Sequence, residues 1–361
     1  MAILTEPNLS GRGKREELAD MIALVDARDT PFVSMARKGS KPGNMLFQWQ
    51  ADTNPQPQVG GTVDGTDVNL VTGISNYVVE YRKQLGNYGQ IFRRATGVSK
   101  LSQDLADVAG VRDSLSDNVS KAIIGLKRDM EVTMTSIQSG QADNGTIPYL
   151  TCGIQKWTNG DASVGTGLPS LVDGTLDLTT PSTSRQGSGS AAANLTDTLV
   201  QSLLKSIFDI TGQYKSFDCI VGTDLKRAFT GLLGTTSLTT TSTVGVTGAG
   251  ATKVQTFMRE ASADTYIQSM DVFQGDFGTV RLHPTTFLGA INSPSTGLFT
   301  TQGWLGLVLD MSQIEIRYGG NVAQVTALPD AGAGPRRLVE AVAGLVVGNP
   351  KGLGKFTFTA A

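Results

Sequence analysis

The sequence is poor in the residues that most catalytic and metal centres need. One histidine, His283, serves all 361 residues. That excludes metal sites built on several imidazoles and leaves any Ser-His-Asp arrangement dependent on a residue at a strand end, just before Pro284. The two cysteines, Cys152 and Cys219, lie far apart with no CxxC partner. They are expected to be buried thiols of a reducing compartment, not a disulfide framework or zinc site. Charged residues make up only 17% of the chain, and the formal net charge is -2. The basic surplus of a protein that grips nucleic acid by its phosphates is therefore missing. No apolar run approaches the roughly 18 residues of a membrane span. The richest stretch, Leu338 to Val347, is interrupted by Glu340 and Gly344. The N-terminus has no basic region followed by an apolar core, so no signal peptide is expected and the product reads as soluble and intracellular.

Glycine is abundant, at 43 residues, beside a 39% hydrophobic share. That combination predicts long loops around a modest core. Residues 1–43 read as an extended, partly basic arm with one helix from about Arg15 to Ala27, closed by a turn at Thr30–Phe32 where proline fixes φ. Asn44 to Asp52 alternates as a strand with Met45, Phe47 and Trp49 on one face, and alternation resumes at Tyr77, Val79 and Tyr81. Together they predict a long β-hairpin across 44–92 with a Gly/Pro-rich tip. A lone ribbon is marginal in water, so it needs a body to lie on, its own or another chain's.

The strongest periodicity follows. Leu101, Leu105, Val108, Leu115, Val119, Ile123, Leu126, Met130, Met134 and Ile137 predict one helix face from about Val98 to Ser139, capped by Thr96 or Ser99. Gly110 and Gly125 allow a bend, and two ordinary helices are the alternative. Residues 158–193 and 235–252 read as Gly/Ser/Thr loops. Between them lie a helix from Thr196 or Asp197 to about Thr211, a buried strand at Phe217–Gly222, and a helix from Thr223 to Leu232. Candidate strands follow at Ser269–Phe273, Thr279–His283, Leu305–Met311, Ile314–Tyr318 and Leu338–Gly348, with a short one in the tail. No repeat period is present.

Two patterns imitate active sites. Gly348–Lys355 has a phosphate-loop look but carries Asn349 where the first glycine belongs, and Phe356 where Ser or Thr should follow. Asp104, Asp107, Asp113 and Asp117 line one helix, where Arg112 and Lys121 can pair with them as a solvated face. No cofactor or metal is expected.

Several segments then carry a family likeness: Thr30–Met35 (TPFVSM), Phe47–Asp52 (FQWQAD), Phe217–Phe229 (FDCIVGTDLKRAF), Asp276–Leu288 (DFGTVRLHPTTFL) and Leu309–Ile314 (LDMSQI). With the order arm, hairpin, long helix, loop-broken α/β region and C-terminal strands, they resemble the Hong Kong 97-like fold of tailed-phage major capsid proteins. The resemblance covers most of the chain and implies an α+β fold. It sets out an N-terminal arm at 1–43, an E-loop hairpin at 44–95, and a spine helix with part of the peripheral domain at 96–150. An axial domain at 151–335 and C-terminal peripheral strands at 336–361 complete it.

The function so implied is structural, not enzymatic. Copies of the chain form hexamers and pentamers that close an icosahedral head around double-stranded DNA in the virion, assembled in the host cytoplasm. Expected partners are the chain itself, a portal, a separate scaffolding protein and weakly touched DNA, with a decoration protein left open and no membrane. Candidate inter-subunit contacts are Arg12, Lys14, Arg15, Trp49, Glu80, Arg82, Lys83, Arg93 and Arg94. An encapsulin-like cellular shell is the runner-up, and a secreted surface-layer or adhesin protein a distant third.

Overall fold

The computed structural model describes residues 30–52, 63–65, 82–105, 113–158, 180–187, 195–234, 270–291, 299–301, 303–329, 332 and 334–358. In chain order, the first elements are helix α1 (Pro31–Met35) and strands β1 (Arg37–Lys38), β2 (Leu46–Asp52), β3 (Arg82–Tyr88) and β4 (Gln90–Gly97). Helices α2 (Lys100–Leu105), α3 (Ser114–Met134) and α4 (Ile154–Trp157) follow, then β5 (Arg185–Gln186), α5 (Asp197–Thr211), β6 (Lys215–Val221) and α6 (Thr223–Gly234). The remainder is β-rich: β7 (Val272–Gly275), β8 (Gly278–Pro284), β9 (Gly289–Ile291), β10 (Phe299–Thr301) and β11 (Leu305–Leu309). The last four strands are β12 (Ile314–Tyr318), β13 (Gln324–Leu328), β14 (Arg336–Val347) and β15 (Gly354–Thr357).

These elements fall into two compact units, and β4, α3 and β14 contribute residues to both. The larger unit takes its described residues from 29–92, 127–322 and 341–361. Its main sheet runs β5-β15-β11-β6-β8-β7. One face carries Phe217, Cys219, Val221, Val280, Leu282, Val308 and Phe356, packed with Val200, Leu203, Leu204 and Ile207 of α5 and Leu225 and Phe229 of α6. Apolar area removed from water on this scale is the main stabilising force. Helix α5 starts where Thr196 Oγ1 accepts the Leu199 N–H and stops at Gly212, whose φ of 63° suits a residue without Cβ. The same unit pairs β1 in parallel with β12, and β12 antiparallel with the C-terminal half of β14, Ile314 opposite Val347 through Tyr318 opposite Ala343.

The smaller unit takes its described residues from 93–126 and 323–340. Here the N-terminal half of β14 pairs antiparallel with β13, from Gln324 opposite Glu340 to Leu328 opposite Arg336. β4 also pairs with β14.

Several expectations need correction. The helix expected over Val98–Ser139 is two helices among the described residues, Lys100–Leu105 and Ser114–Met134. Asp113 caps the second, its Oδ1 accepting the Leu115 and Ser116 N–H groups as well as Gln103 Nε2. Those bonds hold its carboxyl below the usual range, the Gln103 bond most of all. The apolar stripe is buried only in its later part, at Leu126, Met130 and Met134, whereas Leu101 is 70% and Ile137 41% exposed. Ser99 does cap α2, its Oγ accepting the Ser102 N–H. Thr30–Phe32 is no free turn: Pro31 occupies the first position of α1, where its missing N–H costs nothing. Within the expected loop 158–193, residues 185–186 form β5, parallel to β15 with Arg185 opposite Lys355. The expected helix at 15–27, the strand positions 77–81 and the loop 235–252 lie outside the described residues.

Candidate association surfaces

The segment that opens the described chain is tied down by a buried carboxylate. Glu131, with no solvent exposure, accepts the Phe32 N–H at 2.9 Å and the Val33 N–H at 2.8 Å. These are orphan donors of the first turn of α1, which no intrahelical carbonyl can satisfy. Phe32 itself is fully buried. Desolvation raises the Glu131 carboxyl to about 7, against the opposing pull of those two amide bonds. Beyond α1, Arg37 Nη2 donates to Glu315 Oε2 at 3.0 Å, and the Gly39 N–H donates to Ile316 O. Burial pulls the Glu315 carboxyl upward, but Arg317 and Arg37 outweigh it and hold it below the usual range.

A second anchor fixes the base of the β2–β3 hairpin. The strands pair in register from Leu46 opposite Tyr88 to Asp52 opposite Arg82. Asn87 is fully buried at that base. Its Nδ2 reaches Leu345 O, Cys152 O and Thr151 Oγ1, and its Oδ1 accepts the Cys152 and Tyr88 N–H groups. Trp49 donates from Nε1 to Val347 O at 2.9 Å, and its ring lies 5.7 Å from that of Trp157. Gly344 leaves space for Phe47, since a Cβ there would stand 2.1 Å from the ring. One end of the hairpin is therefore attached to the body of its own chain.

In the smaller unit, Arg93 Nε donates to Glu340 Oε2 at 2.5 Å, and the guanidinium of Arg94 lies over Gly125. On α3, Lys121 pairs with Asp117 at 2.6 Å, the i,i+4 arrangement expected of a solvated face. Gly334, at φ 122°, passes so close to the Val98 carbonyl that a Cβ would stand 2.3 Å from it.

Among the described residues, no three His, Cys, Asp or Glu side chains share one site. His283 Nε2 sits 3.0 Å from Asp218 Oδ1, half-exposed on neighbouring strands. Burial pushes both thiols up to about 12, which makes them inert as nucleophiles at neutral pH. Lys355, also buried, is lowered to about 8, by desolvation first and by Arg185 second. Among the described residues, no three His, Cys, Asp or Glu side chains are grouped to hold a metal ion, and no helix is long and apolar enough to cross a membrane.

The contact residues suggested by the sequence are described only in part. Arg12, Lys14, Arg15 and Glu80 lie outside the described residues. Arg82 and Lys83 begin β3, opposite Asp52 and Ala51. Arg93 and Arg94 are exposed in the smaller unit, and Trp49 is partly buried against its own chain. Sequence reasoning missed Glu131 and Asn87 because their partners are far away in sequence, Phe32 being 99 and Leu345 258 positions off.

Comparison with known proteins agrees with this architecture. A family model described as SU10 major capsid protein matches residues 5–360. No curated protein matches the chain. Among solved structures, the capsid of cyanophage A-1(L) aligns with a TM-score of 0.64 at 11% identity, covering 99% of this chain and 100% of that one. The capsid of cyanophage P-SCSP1u gives 0.57 at 12% identity, with coverage of 96% and 93%. That of the myovirus XM1 gives 0.53 at 13%, with 99% of both chains covered. At these identities the likeness is one of fold, and it extends over at least 93% of each chain.

Proposed function

The chain belongs to the SU10 major capsid protein family, and from that premise we propose how this phage head subunit builds its shell. Copies associate as hexamers and pentamers and close an icosahedral wall around double-stranded DNA. The work is structural, with no reaction catalysed. A shell requires no single strong contact, because many modest interfaces repeated by symmetry close on themselves. The observation that carries this reading is the family match over residues 5–360.

The two anchors support a division of labour. Residues 30–39 and the base of the β2–β3 hairpin are fixed to their own subunit by Glu131, Glu315 and Asn87. The arm ahead of residue 30 and the hairpin beyond Asp52 are the parts we assign to neighbouring subunits, with Arg12, Lys14, Arg15, Glu80, Arg82 and Lys83 as their polar contacts. Arg93 and Arg94 serve the smaller unit, which takes the peripheral role, while the α5–α6 sheet layer takes the axial one. A portal and a separate scaffolding protein complete assembly in the host cytoplasm, and the DNA is touched only weakly by a chain of net charge -2.

Sedimentation velocity and negative-stain electron microscopy of the purified chain test this. Closed particles of uniform diameter, or rings of five and six, are expected. A chain that stays monomeric even with portal and scaffold added overturns the reading.

A further inference from the structure

The loop between Gln141 and Leu150 closes on itself. Those two residues pair antiparallel through both of their backbone hydrogen bonds, at 2.9 and 3.0 Å, and the neighbouring Tyr149 ring lies 6.0 Å from that of Tyr88. Residues 143–148 at the tip are all exposed and read Asp-Asn-Gly-Thr-Ile-Pro. The Asn144 N–H donates to Ile147 O at 3.2 Å, and Gly145 takes a φ of 84°, a conformation that favours a residue without Cβ.

At this tip the side chain of Asn144 is held by its oxygen. Oδ1 accepts the Thr146 N–H at 3.0 Å and the Ile147 N–H at 2.7 Å. Both partners are donors, so they fix which end of the amide faces them. The next nitrogen along the chain, that of Gly145, donates to Asp143 Oδ1 at 2.7 Å. The Oδ1 bonds alone would make an ordinary Asx turn, which has no need of a carboxylate on the Gly145 N–H.

Three parts of an acyl-transfer site thus stand within five consecutive residues. A carboxylate lies inside the range of about 2.6–3.2 Å over which a general base takes a proton. Two amides lie at the roughly 2.7–3.1 Å from which donors stabilise a developing oxyanion. The carbon between them, Asn144 Cγ, is linked to Gly145 N only through Cβ, Cα and the backbone carbonyl carbon. Their union closes a five-membered ring with no second molecule to recruit. A Cβ on Gly145 would meet nothing within 4 Å, so the space beside the reacting nitrogen is open.

We propose that Asn144–Gly145 is a self-modifying site, where the folded chain converts Asn144 through a cyclic imide into aspartate and isoaspartate. Asp143 takes the proton from Gly145 N, and the freed electron pair forms a bond to Asn144 Cγ. The carbonyl π pair moves onto Oδ1, where the Thr146 and Ile147 N–H groups hold the charge. Collapse then breaks the Cγ–Nδ2 bond, and the leaving nitrogen takes the proton back from Asp143 and departs as ammonia. One water opens the imide at either of its two carbonyls, giving aspartate or isoaspartate. The balance is one water in and one ammonia out, with nothing oxidised or reduced. Each conversion adds a carboxylate to a chain whose formal net charge is -2. The inference goes beyond shell building and does not depend on it, since every group belongs to one chain.

The test is to incubate the purified chain both folded in buffer and unfolded in guanidinium, at one pH and temperature. Trypsin cuts after Arg128 and Lys156, and mass spectrometry of the 129–156 peptide follows the exchange of amide for acid. Asn144 is expected to convert at least about tenfold faster in the folded chain. Asp143→Asn keeps an oxygen for the Gly145 N–H but removes the base. It should cut the folded rate at least about tenfold and leave the unfolded rate within about twofold, with peptide fragmentation assigning the change to position 144. A folded rate equal to or below the unfolded one overturns the proposal, because the loop then shields the amide. That comparison needs no variant, so it decides even if Asp143→Asn fails to fold. Folded acceleration that survives in Asp143→Asn overturns it too, by removing Asp143 from the chemistry.

Discussion

At Glu131, burial favours the neutral acid while two backbone N–H donors favour the carboxylate. Burial is the larger effect and places the group at about 7 against an ordinary 4.5. Between those values the folded subunit binds more protons than the unfolded chain. Its contribution to stability is therefore fully present below about pH 4.5 and is lost as pH rises through 7, a span on the order of 3 kcal/mol. Glu131→Gln should flatten that slope, which urea unfolding of dissociated subunits between about pH 5 and pH 8 would reveal. A slope unchanged in the variant would assign the pH dependence to other groups. Asn87 makes a different kind of prediction. Replacing it with alanine strands the Cys152 amide and two carbonyls in a site without water access. Since each buried orphan costs about 1–3 kcal/mol, the subunit should lose about 3 kcal/mol or more of unfolding free energy. A loss below about 1 kcal/mol would mean that the hairpin base rearranges to satisfy them.

Elements were legible in the sequence wherever their pattern was local. Alternation points to β2, the candidate strands at 279–283 and 314–318 match β8 and β12, and the helix expected from Thr196 or Asp197 to about Thr211 is α5. The alternative of two helices is the one found, and the start of the second has a local signal. Asp113, taken as one more surface carboxylate, is followed by Ser114 and by Asp117 in the first turn, the arrangement of a helix start. What periodicity cannot show is which elements meet. Gly344, unremarkable within β14, is where the Phe47 ring of β2 comes to rest. Gly344→Ala should therefore cost about 1–3 kcal/mol through overpacking, unlike an ordinary strand glycine, where a side chain helps. Denaturant midpoints of the variant against wild type check this, and a midpoint at or above wild type would show that the ring can move. Glu131 and Asn87 were illegible for the same reason: their meaning lies in contacts across most of the chain's length.

For the whole molecule, the structure redraws where an arm can be removed. The sequence suggested a boundary at residue 43, but Phe32 is part of the core and Glu131 depends on the amides of Phe32 and Val33. A chain lacking residues 1–40 loses the buried Phe32 side chain and both donors to Glu131, and should be destabilised. A chain lacking residues 1–28 keeps both, so it should unfold at the wild-type midpoint and yet fail to close shells by sedimentation velocity. Intact shells from it would remove the arm from the assembly scheme.

The two thiols lend the particle a use unrelated to its assembly. Both are buried, and at neutral pH almost none of either is present as the reactive thiolate. One cysteine introduced at an exposed position such as Val272, which is 55% open on the larger unit, would be the single readily alkylated sulfur in each copy. A shell assembled from that variant would display a chemical handle at one fixed point per subunit. Dyes, glycans or peptides could then be attached by ordinary maleimide chemistry without first removing the native sulfurs.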